Sequence, residues 1–135
     1  MARESGPSRF ERSLPLDVSA LPTTRHQLGA FLRGLDLEQD VVEAVLLCVQ
    51  EACKNAVRFS GSPRGIDLSV TLDGEAVRAV VRDYGGGFDH SRVSTEAPDP
   101  LCSSGRGLFL IRALMDTVEI RGSTGTEVRM CKLLP

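Results

Sequence analysis

The chain has 135 residues, 41% of them hydrophobic and 25% charged, with a formal net charge of -2. That length fits one domain with enough apolar side chain for a core, and the interspersed charges form no broad basic field for nucleic acid or anionic membrane. No apolar run approaches the roughly 20 residues of a membrane span, and residues 1–13 are too polar for a signal peptide's apolar segment, so the sequence reads as cytoplasmic, with proteins or a small ligand as partners.

In chain order, residues 1–9 are polar and read as a flexible terminus. Phe10, Leu14 and Leu16 partly alternate, which suggests an edge strand stopped near Pro15. Leu28, Phe31, Leu32 and Leu35 recur at helical spacing and predict a helix from Leu21-Pro22 to Arg33, with Ser19 as its cap and Gly34 as its terminator. Asp36 followed by Gln39 resembles a capping arrangement, and Val41, Val42, Val45, Leu46, Val49, Ala52, Cys53 and Ala56 continue an apolar face. This second helix should be long and largely buried, until Gly61, Ser62 and Pro63 break it.

Ile66, Leu68, Val70 and Leu72 alternate with polar residues as in a half-buried strand, and Asp73-Gly74 signals a hairpin. The returning strand, Ala76 to Tyr84, runs into Gly85-Gly86-Gly87. Residues 89–104 hold Pro98, Pro100 and several Ser and acidic residues without periodicity, and read as a lid-like loop. A third helix fits Gly107 to Met115, and two closing strands fit Thr117 to Arg121 and Thr126 to Leu133, around a turn with Gly122 and Gly125. Hairpin-linked strands with interspersed helices predict an α+β two-layer sandwich, a mixed but mainly antiparallel sheet with helices on one face. Cys48, Cys53, Cys102 and Cys131 lack metal or C-x-x-C spacing and read as reduced thiols.

Three stretches carry candidate chemistry. Asp83 shares parity with Val77, Ala79 and Val81, so its carboxylate points inward, where it accepts either from the amides of the glycine turn or from a ligand's amino group. Glu51 and Asn55 lie one helical turn apart on a common face, as a solvated polar stripe or as a pair acting on one ligand. Gly105-Arg106-Gly107-Leu108 opens the third helix, either as an ordinary junction or as a phosphate site built from free N–H groups and the helix dipole. There is no G-x-x-x-x-G-K-[ST], which excludes a P-loop protein.

The order of these stretches resembles the GHKL ATPase superfamily, which includes histidine-kinase catalytic domains, gyrase and the anti-sigma-factor serine kinases. E-A-C-K-N-A is similar to its N box, D-Y-G-G-G-F to the first glycine box, G-R-G-L-F-L-I to the second and G-T-E-V to the closing box, over roughly Phe10 to Leu134. The compact chain looks most like the anti-sigma kinases. The resemblance implies ATP and Mg2+ as cofactors, Glu51 as the general base that activates a protein serine, and Asn55 as the Mg2+ ligand. It implies that Asp83 binds the adenine amino group, that Gly85 and Gly87 shape the adenine pocket, and that Thr126 supports it. Gly105, Arg106, Gly107 and Leu108 would hold the phosphates under the lid at 89–104. The family often has His where this chain has Phe59.

The function so implied is an anti-sigma factor and serine kinase that sequesters a sigma factor and phosphorylates an anti-anti-sigma factor of STAS type, acting as a homodimer without touching nucleic acid or membrane. An ATP-binding module that sequesters a protein without kinase activity is the alternative. A histidine-kinase fragment fits less well, because neither His26 nor His90 lies in an acidic, proline-terminated phosphoacceptor helix.

Overall fold

The computed structural model describes residues 8–85, 106–122 and 125–135, the side chains of Phe59 and Arg106 excepted. Residues 1–7, the segment 89–104 expected to form a lid, Gly87 and Gly105 lie outside the described residues. Strands β1 (Ser8–Leu14), β2 (Ile66–Leu72), β3 (Ala76–Asp83), β4 (Thr117–Gly122) and β5 (Thr126–Leu133) form one sheet in the order β1-β2-β3-β5-β4. Every neighbouring pair is antiparallel, where a mixed sheet was expected. Strands β3 and β4 run the same way, but β5 lies between them, and α3 (Arg106–Leu114) belongs to the connection that crosses the sheet. Strand β1 is indeed an edge, and it takes in Ser8 and Arg9, the last two residues of the segment expected to be loose.

Alternation decides which face is covered. Phe10, Val70, Ala79 and Met130 form one buried cross-strand row, and Leu68, Val81 and Val128 form the next. Asp83 and Thr126, register partners, close that face as buried polar residues. Helix α2 (Gln39–Phe59) lies over β3 and β5 with α1 (Leu21–Arg33) and α3 beside it, and its Val42, Val45, Cys48 and Ala52 are buried. This is the expected α+β two-layer arrangement. Among the described residues no helix is long and apolar enough to cross a membrane.

Two helix caps differ from expectation. Asp17, not Ser19, supplies the local cap: its carboxylate accepts from the Ser19 N–H at 2.9 Å in a 3-10 turn over Val18–Ala20, and α1 then starts on Ala20 without a side-chain cap. The turn already directs the chain into α1, so Ser19 has no free helix terminus to serve. Asp36 does not cap α2 either; it takes φ +64 in the connection after Gly34, and Glu38 is the residue that precedes the helix. Asp tolerates this left-handed conformation better than most residues, and the loop uses it for the turn.

Candidate functional site

At the end of β3 the carboxylate of Asp83 is buried and faces the helices. Its Oδ1 accepts from the Gly85 N–H at 3.0 Å and from the Thr126 N–H at 3.3 Å. The bond to the glycine turn is therefore present, together with one from a strand 43 positions away. Both fall on one oxygen, so among the described residues Oδ2 keeps its capacity to accept a further donor. Beside it, the Thr126 hydroxyl is buried with no hydrogen-bond partner among the described residues. A buried hydroxyl without a partner costs roughly 1–3 kcal/mol, so this Oγ marks a point built to meet something polar.

Two glycines allow this convergence. A Cβ on Gly125 would lie 2.3 Å from the Asp83 carbonyl oxygen, and Gly125 has φ +122, which side-chain-bearing residues rarely adopt. A Cβ on Gly85 would lie 2.0 Å from the Ser60 carbonyl oxygen at the C-terminus of α2. Gly85 is thus pressed against the end of the helix that carries Glu51 and Asn55.

From the other side, α3 begins at Arg106, and Gly107 is buried against those two residues. A Cβ at Gly107 would stand 3.2 Å from Glu51 Oε1 and 3.2 Å from Asn55 Nδ2. The next residue, Leu108, lines a cleft with Ala52, Ala56, Val81 and Val128, and Asn55, Asp83 and Thr126 are its polar members. Its cavity of about 20 Å³ has room for one water and, as it stands, is too small for a purine ring. Glu51 is ion-paired through Oε2 with Lys54 at 3.4 Å, and its side chain is 18% exposed.

Glu51, Asn55, Asp83, Gly85, Gly107, Leu108 and Thr126 are accordingly brought to one place by α2, β3, α3 and β5. The donor set fits an adenine nucleotide: an inward carboxylate and an orphaned hydroxyl for a base edge, apolar walls for its faces, and a helix N-terminus for phosphate. For Mg2+ the described residues offer the amide oxygen of Asn55 and no group of three ligating residues, which suits an ion held largely by phosphates and water. The side chain of Arg106, like Gly87 and Gly105, lies outside the described residues. His26 is exposed on α1, and His90 is outside them. Sequence reasoning missed Ser60, whose only signal was its position after the helix, and Tyr84, which the glycine-box pattern leaves as an unspecified residue.

A family model described as the histidine kinase-like ATPase domain matches residues 14–132. The serine-protein kinase RsbW of Bacillus pumilus (strain SAFR-032) is 26% identical over 138 residues, covering 93% of this chain and 85% of that protein. The serine-protein kinase RsbW of Bacillus licheniformis is 30% identical over 136 residues, with the same coverages of 93% and 85%. Among solved structures, the RsbU and RsbW domains of Rv1364c from Mycobacterium tuberculosis superpose with a TM-score of 0.72 at 22% identity, over 95% of this chain and 33% of that chain. The histidine kinase domain from the Erythrobacter litoralis EL346 blue-light activated histidine kinase gives 0.58 at 19% identity, over 90% and 62%. At these identities the structural likeness is one of fold.

Proposed function

The chain belongs to the histidine kinase-like ATPase domain family, and on that ground we propose that it binds Mg-ATP and transfers phosphate to a serine of a partner protein. The observation that carries this reading is the placement of Gly107, at the start of α3, against both Glu51 and Asn55 while Leu108 shares the cleft with Asp83 and Thr126. One ligand spanning that distance meets an adenine pocket, a helix N-terminus and a carboxylate.

ATP would supply the phosphoryl group, and Mg2+ would neutralise its charge. Asp83 Oδ2 would accept from the adenine amino group, and Asn55 would offer its amide oxygen to the ion. Glu51 would take the serine proton through Oε1, the oxygen that faces Gly107, as the serine oxygen bonds to the γ-phosphorus and the phosphorus–oxygen bond to the leaving ADP breaks. The further reading, that the protein sequesters a sigma factor and phosphorylates a STAS-type anti-anti-sigma factor in the cytoplasm, rests on the resemblance to the anti-sigma kinases and on relatives named serine-protein kinases.

Calorimetric titration with Mg-ATP tests the pocket: Asp83→Ala should weaken binding at least tenfold, and equal affinity would sink the assignment. Glu51→Gln tests the chemistry. It should bind Mg-ATP as wild type does and lose at least about 100-fold in phosphate transfer to STAS-type proteins of the same genome, the lower range for a general base. The Lys54 ammonium on Glu51 Oε2 favours a second reading, a nucleotide-dependent binding module that sequesters its partner without transfer. No labelled phosphate on any such protein, with partner affinity still set by ATP, would select it.

A further inference from the structure

We propose that Tyr84 and Asp67, on the face of the sheet opposite the helices, are positioning residues that hold the Asp83 carboxylate in register for a purine amino group; this rests on the nucleotide reading above. Asp83 points toward α2, and the next residue sends its side chain to the other face. There the Tyr84 hydroxyl donates to Asp67 Oδ2, and Ser13 on the edge strand donates to Asp67 Oδ1 at 3.0 Å. The Arg64 guanidinium carbon lies 3.8 Å from the Tyr84 ring centroid and that of Arg82 5.1 Å. Ring and hydroxyl are both held.

Ser13, Asp67, Arg82 and Glu127 lie in one row across four strands, since Ser13 pairs with Asp67, Asp67 with Arg82 and Arg82 with Glu127. Arg82 also reaches the Glu127 carboxylate at 3.5 Å. The two amides that hold Asp83 Oδ1 belong to Gly85 and Thr126. Thr126 is the chain neighbour of Glu127 in this row, and Gly85 is the chain neighbour of Tyr84, whose hydroxyl is bound to Asp67 of the row. Rotation of the backbone at Tyr84 would carry the Gly85 N–H away from Asp83, and the hydroxyl bond to Asp67 opposes it together with the guanidinium contacts to the ring. The same hydroxyl bond lowers the pKa of the Asp67 carboxyl from its ordinary value.

Removing only the hydroxyl tests this. Tyr84→Phe should bind ATP about fivefold more weakly, the value of one hydrogen bond of about 1 kcal/mol. Binding of inosine triphosphate, which carries an oxygen in place of the adenine amino group, should change by less than about twofold on the same footing. Asp67→Asn should act in the same direction. Equal weakening toward both nucleotides would mean a general structural role and overturn the proposal, as would an ATP preference undiminished in both variants. A wild type with no preference for ATP over inosine triphosphate would instead overturn the reading of the pocket, and this proposal with it.

Discussion

Thr126 presents its N–H to Asp83 at 3.3 Å, while its buried hydroxyl has no partner among the described residues. The two groups predict opposite consequences for one substitution. Thr126→Val keeps the N–H and the shape but removes the orphaned hydroxyl, so urea unfolding should show stability unchanged or raised by about 1 kcal/mol, whereas Mg-ATP affinity should fall. A stability loss beyond about 1 kcal/mol would mean that the hydroxyl is satisfied in solution. Gly125 behaves differently, because its φ of +122 and the 2.3 Å approach to the Asp83 carbonyl leave no place for a Cβ. Gly125→Ala should cost on the order of 2 kcal/mol and disturb nucleotide binding, while Gly74→Ala, where a Cβ meets nothing within 4 Å, should be near neutral. Paired denaturation curves decide this. Both glycines stand in the sequence as turn residues; their unequal cost is set by a chain segment about 40 residues away, which no local pattern encodes.

The β2–β3 hairpin shows how far an element can be read from its own residues. Asp73-Gly74 marked the turn, and the structure joins Leu72 to Ala76 through it, with the Asp73 carboxylate accepting from Glu75 N–H at 2.9 Å, Ala76 N–H at 3.0 Å and Arg78 Nε at 2.8 Å. The Arg78 bond first, and then the backbone bonds, lower its pKa from 3.8 to about 2. A folded value below the unfolded one means that its contribution is fully present above about pH 4 and is lost as pH falls through about 2. Thermal melts across that range should therefore show a shallower acid loss in Asp73→Asn than in wild type; parallel curves would contradict the assignment. The helix starts were less legible. Ser19 and Asp36 had the right residue types, but capping depends on backbone angles at the junction, and those follow from how α1 and α2 pack.

For the whole molecule, the cysteines report on the core. Burial pushes the thiols of Cys48 and Cys53 up to about 12, whereas Cys131 on β5 is only partly buried. Under native conditions iodoacetamide should modify Cys131 before Cys48 and Cys53, which it should reach only through opening of the fold, as peptide mass spectrometry would resolve. Mg-ATP at 100 times its dissociation constant should stabilise the closed state by about 2.7 kcal/mol and slow that labelling about 100-fold, when reclosing outpaces reaction. Labelling of Cys48 and Cys53 as fast as that of Cys131 would contradict the packing of α2 on the sheet.

The amino-acid sequence by itself determined the elements and their order: the helical period through α2, the alternation of β2, β3 and β5, and the inward parity of Asp83. It also placed the two glycine stretches at element ends and Glu51 and Asn55 within α2, because period and turn chemistry are short-range properties of the chain. Only the tertiary structure decided that Gly107 would rest against Glu51 and Asn55, that Thr126 would share Asp83, and that Tyr84 would reach Asp67 across the sheet. Those contacts come from antiparallel register and helix packing between residues 17 to 56 positions apart, and register is a property of paired strands that neither strand carries alone.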